Sequence, residues 1–216
     1  MAIEVKVCGI TRKEDAETAL TAGAKNLGFI QYPKSPRKIS LDSSKSIMQS
    51  VDSFSFGKVA VDVCPTAESV IQMKDAGFDF FQFHFDYNFD IKRIRQWSEL
   101  VGPSSLWLAP KIPPGNSFPE SLLDLADTFV IDAYSKDKFG GTGNTSDWNS
   151  FAYYQAKNPN HNWVLAGGMG PENIEQAMRE LDLRMIDVIS ALETAPGIKD
   201  QALLKKFFLC LQELEK

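Results

Sequence analysis

The sequence predicts a single α/β domain over residues 1–216, folded as one (β/α)8 barrel, the TIM-barrel architecture. Three observations lead there. Short apolar runs alternate with amphipathic stretches eight times, the pattern of parallel strands linked by helices. No linker or shift in composition divides the chain. The first strand runs into Cys8-Gly9-Ile10-Thr11, not into the Gly-x-Gly-x-x-Gly turn expected of a doubly wound open sheet, the main structural alternative.

Residues 4–7 form the first predicted strand, and Thr11 with Glu14 is set up as a capping box for a helix over 12–22 that Gly23 closes. The second strand covers 26–30. Pro33 and Pro36 hold residues 32–38 out of regular structure before a helix over 41–51. A third strand, 58–63, precedes a helix over 65–76 that opens at Pro65 and ends before Gly77. The fourth strand spans 80–84 and its helix 90–100. After a fifth strand, 105–109, and a turn at Pro113-Pro114-Gly115, only a weak helix over 119–126 is expected. The sixth strand is the apolar run 128–131, and Asp147 is placed to cap a helix over 148–156. Residues 163–166 and 185–189 complete the strands, with helices over 171–181 and 201–215.

With 216 residues, 44% of them hydrophobic, the chain can bury a sizeable core. A net charge of −5 and a pI near 5.1 argue against nucleic acid or an anionic membrane as partner. An anionic ligand then has to be caught locally, by loop amides and a few cations. Cys8, Cys64 and Cys210 are too few and too scattered for a disulfide framework or a zinc site. No apolar stretch approaches the roughly 20 residues of a membrane span, and the start of the chain lacks the apolar core of a signal peptide. A soluble cytoplasmic protein is expected.

In a barrel the residues just after each strand share one rim, and chemistry occurs there. Strand ends in order put Lys6, Cys8, residues 32–37, Asp62, His84, Lys111, Asp132, Gly167, Gly168 and residues 190–193 on that rim. Asp132 ends an apolar run and precedes a segment in which Gly140, Gly141 and Gly143 bring amides within reach of a ligand; it reads either as a chemical group or as a turn cap. Cys8 and Asp132, from strands well apart around the ring, suit a reaction in which one group takes a proton and the other gives one. Cys8 would act as thiolate, so its ordinary pKa of about 8.5 needs lowering, and Lys6 or the helix start near Thr11 are the candidates. Its alternative is a small buried hydrophobe. Gly167 and Gly168, with Ser190 and Ala191, sit where barrels hold phosphate through backbone amides, although a Gly-Gly pair also makes a plain tight turn. Arg37 carries a fork suited to a carboxylate or phosphate, or is simply solvated. His84 reads as satisfying a hydrogen bond, and Cys64 and Cys210 as packing.

Together these segments resemble the phosphoribosylanthranilate isomerase family of tryptophan biosynthesis, nearly end to end. The matching pieces are Val5-Lys-Val-Cys-Gly-Ile-Thr11, Gly28-Phe-Ile30 with Tyr32-Pro-Lys-Ser-Pro-Arg37, Gln82-Phe-His84, Ile131-Asp-Ala133 with Lys138-Phe-Gly-Gly-Thr-Gly143, Leu165-Ala-Gly-Gly168, and residues 187–200. The Lys-x-Cys-Gly start and the Phe-Gly-Gly-Thr-Gly loop are specific. The resemblance implies an Amadori rearrangement of a small phosphorylated aminoaldose to an aminoketose, carried out by a monomer or homodimer and needing no metal or cofactor. Asp132 would be the general acid on the ribose ring oxygen, Cys8 the base at ribose C2, and Arg37 the partner of the anthranilate carboxylate. Amides near Gly168, Ser190 and Ala191 would hold phosphate, and the Gly-rich loop with Gly141 and Gly143 would close over the site, with Lys6, His84 and Gly167 completing the binding set.

The family usually has Gln-Leu-His-Gly where this chain has Phe85 after His84, and Ser-Ser-Gly where it has Ile189-Ser190-Ala191. Both differences bear on pocket shape and phosphate affinity rather than on the acid–base pair. Two other readings follow from the residues: an isomerase of the histidine-pathway ribonucleotide, expected to use paired aspartates, and a barrel that binds a phosphorylated aminoaldose without turning it over.

Overall fold

The computed structural model of the chain describes residues 2–135 and 147–214. Eight parallel strands close into a barrel in sequence order: β1 (Glu4–Cys8), β2 (Asn26–Ile30), β3 (Gly57–Val63), β4 (Phe80–Asp86), β5 (Leu106–Lys111), β6 (Thr128–Ile131), β7 (Asn162–Leu165) and β8 (Met185–Val188). Pairing of β8 with β1 closes the ring, with Lys6 opposite Asp187. The predicted (β/α)8 architecture is the observed one.

The two-residue period of each strand sorts its side chains. Ile30, Val59, Val61, Trp107, Val130 and Val164 pack inside the barrel with Cys8. Their neighbours Phe29, Ala60, Leu108, Phe129 and Leu165 face the surrounding helices. Those helices are α1 (Lys13–Ala22), α2 (Leu41–Ser50), α3 (Ala67–Asp75), α4 (Ile91–Val101), α5 (Trp148–Lys157), α6 (Ile174–Glu180) and α7 (Gln201–Leu214). Ser40, Thr66, Asp90 and Asp147 each cap a helix by accepting an amide of its first turn. Among the described residues no helix is long and apolar enough to cross a membrane.

Local structure departs from expectation in four places. Thr11 does not cap α1; its hydroxyl donates to the Gly197 carbonyl, and Arg12 takes the cap position with no side-chain capping bond. The weak helix after β5 is a single 3-10 turn, Glu120–Leu122. Pro113, Pro114 and Pro119 deny a regular helix here, and Phe118 fills the layer instead, its ring 5.0 Å from Phe129 and 5.1 Å from Trp163. The helix after β7 starts at Ile174 rather than Pro171, because Asn173 turns its side chain back to Gly168 O (2.9 Å) and Gly170 N (3.0 Å). After β8 the chain forms an antiparallel hairpin, β9 (Glu193–Ala195) and β10 (Ile198–Lys199), that the sequence pattern did not announce.

The outer layer is tied by aromatic packing between β4 and α4. Trp97 lies 5.1 Å from Phe83, 6.0 Å from Phe85 and 5.2 Å from Phe89, and its indole N–H donates to Pro65 O. Phe85 thus belongs to the outer core, 1% exposed; the strand pleat turns it outward, so the ring that was expected to bear on pocket shape does not line the cleft. Trp97→Ala is expected to cost about 3–5 kcal/mol through the cavity left behind, measured as a lower urea midpoint with an unchanged m value; a loss below about 1 kcal/mol would show that α4 is not packed as described.

Candidate active site

Alternation along the strands delivers a polar layer to the barrel mouth. Lys6 and Cys8 of β1, Gln82 and His84 of β4, and Asp187 of β8 all occupy inward positions, as does Asp132 just past β6. A cleft of about 630 Å³ is lined by Cys8, Arg37, His84, Asp132, Gly167 and Gly168 among others. Strands one and six therefore do bring Cys8 and Asp132 to one opening.

Lys6 is fully buried and its Nζ donates to Asp187 Oδ2 at 2.7 Å. Burial alone would lower its pKa, but Asp187 and Cys8 more than offset that and raise it. Lys6 does not line the cleft. Its ammonium is turned to Asp187 and closed off from solvent, where the sequence reading had expected it to face a ligand. Asp187 Oδ1 and Gln82 Oε1, both on cleft-lining residues, are buried without a hydrogen-bond partner among the described residues. Buried acceptors left open in this way are suited to ligand hydroxyls.

Cys8 is 4% exposed. Burial pushes its thiol up from the ordinary value, opposed by Lys6. The expected lowering is not what this environment produces, because the apolar barrel interior disfavours the thiolate more than one lysine favours it. Space for the thiol comes from β2: a Cβ on Gly28 would stand 2.7 Å from Cys8 Sγ and 3.0 Å from Lys6 Cε. Asp132 is half-buried and accepts its only described hydrogen bond from the Ala133 amide at 2.8 Å. Burial pushes its carboxyl up to about 6, with Asp187 adding to the rise and the Ala133 amide and Lys6 opposing it. Gly167, at φ 83°, leaves Asp132 its room, since a Cβ there would lie 3.0 Å from Asp132 Oδ1.

His84 is held near pKa 3 by burial and by Lys6, so its ring is neutral. The Gln82 side-chain amide lies 3.0 Å from His84 Nε2 and holds the ring in place. Arg37 is 9% exposed and its fork is occupied on one edge by Glu193, with Nε and Nη2 2.9 and 2.8 Å from Oε2. It is not a solvated surface arginine. Ser190 and Ala191 begin a one-turn 3-10 helix, Ser190–Leu192, so their amides have no carbonyl of that turn to bond. Gly141 and Gly143 lie outside the described residues.

Asp187, Gln82 and Glu193 escaped the sequence-derived site list. Asp187 and Gln82 carried a signal, a polar residue at an inward position of an apolar strand. Glu193 lay within the rim segment 190–193, but nothing in the sequence marked it as the partner of Arg37, because its strand belongs to the unanticipated hairpin.

The model of the family described as N-(5'phosphoribosyl)anthranilate (PRA) isomerase matches residues 5–209. The N-(5'-phosphoribosyl)anthranilate isomerase of Microcystis aeruginosa is 34% identical, over 99% of this chain and 98% of that one. The enzyme of the same name from Aquifex aeolicus is 31% identical over 95% and 96%. Among solved structures, phosphoribosyl anthranilate isomerase from Thermus thermophilus superposes with a TM-score of 0.81 at 28% identity, covering 98% of this chain and all, 100%, of that one. A phosphoribosyl anthranilate isomerase in complex with reduced 1-(o-carboxyphenylamino)-1-deoxyribulose 5-phosphate superposes with a TM-score of 0.75 at 25% identity, covering 98% and 99%.

Gly28→Ala should cost about 1–3 kcal/mol of stability, as for other insertions into a packed core, and should change the rate at which a thiol reagent labels Cys8. Wild-type stability and labelling in that variant would mean that the Cys8 side chain does not sit against β2.

Proposed function

Because the chain belongs to the phosphoribosylanthranilate isomerase family, we propose that it converts N-(5'-phosphoribosyl)anthranilate to 1-(2-carboxyphenylamino)-1-deoxyribulose 5-phosphate, with Asp132 as general acid and Cys8 as general base. The observation that carries this reading is the convergence of the two groups on one cleft, with a carboxyl already raised to about 6. Asp132 donates its proton to the ribose ring oxygen, the bond from that oxygen to C1 breaks, and nitrogen supplies the electron pair of the resulting Schiff base. Cys8 thiolate then takes the proton from C2, and the C–H electrons form the enolamine double bond. The enol tautomerises to the C2 ketone as C1 gains a proton, so the rearrangement is a redox exchange within the substrate and nothing external is oxidised or reduced.

Arg37, on the β2 side of the cleft, takes the anthranilate carboxylate. The amides near Gly168, Ser190 and Ala191 take the phosphate. The orphan oxygens of Asp187 and Gln82 face the ribose between these ends. The position of Cys8 within the cleft favours this chemistry over a paired-aspartate isomerase, and the raised Asp132 carboxyl favours turnover over simple binding.

Asp132→Asn and Cys8→Ala should each lower kcat by about 10²–10⁴-fold, followed by the loss of substrate fluorescence, while circular dichroism stays that of the parent. Unchanged turnover in Asp132→Asn would remove it as the acid. The active form has Asp132 protonated and Cys8 ionised. As pH rises to about 6, thiolate grows while Asp132 keeps its proton, so kcat/KM climbs. Above that, the gain in thiolate is matched by loss of the Asp132 proton and the profile levels, falling only above the raised thiol pKa. The bend near pH 6 should be missing from the residual activity of Asp132→Asn; a bend that persists there belongs to another group, the substrate phosphate included.

A further inference from the structure

The hairpin that follows β8 is built around one buried carboxylate. Glu193, its side chain 3% exposed, accepts from Arg37 Nε and Nη2, from Lys199 Nζ at 2.9 Å and from the Gly197 amide at 3.2 Å. Two cations therefore face one anion, and of the three residues Arg37 lines the cleft. The Arg37 guanidinium presents five N–H donors. Glu193 engages the Nε edge, which leaves the Nη1 edge for another planar anion.

The hairpin is pinned to the barrel mouth at several points. Thr11 bonds Gly197 O and Asp15 Oδ2 accepts the Lys199 amide at 3.1 Å, while the Asp200 amide closes the base of the hairpin itself on Leu192 O at 2.9 Å. The stem of Arg37 is confined from its other side. A Cβ on Gly9 would stand 2.9 Å from Arg37 Cδ, and Gly9 has φ 74°, so the Cys8-Gly9 turn holds the arginine in a channel against Ile189. Glu193 also directly follows the 3-10 turn of Ser190–Leu192.

We propose that Glu193 is a positioning residue that aims the free edge of Arg37 at the carboxylate of the aromatic acid, and that the β9–β10 hairpin holds this end of the substrate in register with the phosphate end. The inference rests on the assignment of Arg37 made above. A guanidinium held in a rigid fork loses little freedom when it meets its ligand, so the arrangement acts on binding rather than on the proton transfers.

Three explanations give different signs. A positioning residue, when altered, raises KM and leaves kcat nearly unchanged. A carboxylate that merely competes with the substrate for Arg37 lowers KM when removed. A structural strut impairs KM, kcat and phosphate affinity together. The experiment compares wild type, Glu193→Gln and Glu193→Ala for KM and kcat with phosphoribosylanthranilate and for competitive inhibition by inorganic phosphate, the latter reporting the other end of the site. Misplacement of a binding group by about 1 Å costs on the order of 100-fold, so Glu193→Ala should raise KM roughly 10- to 100-fold. Glu193→Gln keeps the shape and one acceptor and should raise it less, with kcat within about threefold and phosphate inhibition within about twofold of the parent. If Glu193→Ala does not fold, the near-isosteric Glu193→Gln decides alone. An unchanged or lowered KM, or a parallel loss of phosphate inhibition, overturns the proposal. Absence of turnover in the wild type would instead sink the functional reading, which keeps the two failures apart.

Discussion

The ion pair of Lys6 with Asp187 joins the first strand to the last, and its charges act on both reactive groups. Two charges in a barrel interior cost several kcal/mol of desolvation each, and only close geometry offsets it; here the pair meets at 2.7 Å between residues in direct register. Its charges act in opposite senses on the site. Lys6 favours the thiolate of Cys8, whereas Asp187 raises the carboxyl of Asp132. Neither partner can be discarded alone without leaving an unpaired charge in the core, so the closure of the ring and the electrostatics of the mouth are one constraint.

A second constraint is volume. The barrel interior is filled, and reactive side chains gain their places where a backbone carries no Cβ. Gly28 makes room for Cys8 and Lys6, Gly167 for Asp132, and Gly9 for the stem of Arg37. Glycine at these positions serves close approach, and in Gly9 and Gly167 a left-handed backbone as well. The reactive groups are thus set by neighbouring strands and turns rather than by their own segments.

The fold tolerates irregularity away from the mouth. The proline-rich stretch after β5 replaces a helix with a 3-10 turn and an aromatic plug, and the layer stays sealed by Phe118, Phe129, Tyr154 and Trp163. The hairpin after β8 is a different kind of irregularity, because it reaches back to the loops that follow β1 and β2 and encloses the charged cluster of Arg37, Glu193 and Lys199.

Alternation of apolar and amphipathic stretches, together with the Lys-x-Cys-Gly and Gly-Gly motifs, was enough to read the barrel, the strand order and the placing of Cys8 and Asp132 on one rim, because periodicity and strand ends are local properties of the chain. Local chemistry also placed the cap at Asp147, but misled at Thr11, whose hydroxyl has a partner 186 residues away; the caps at Ser40, Thr66 and Asp90 came only with the structure. What Cys8 and Asp132 do with their protons, why Lys6 turns to Asp187, and which carboxylate holds Arg37 all depend on burial and on charges brought together from opposite ends of the chain. Those are sums over neighbours in space, and only the closed ring assembles the neighbours.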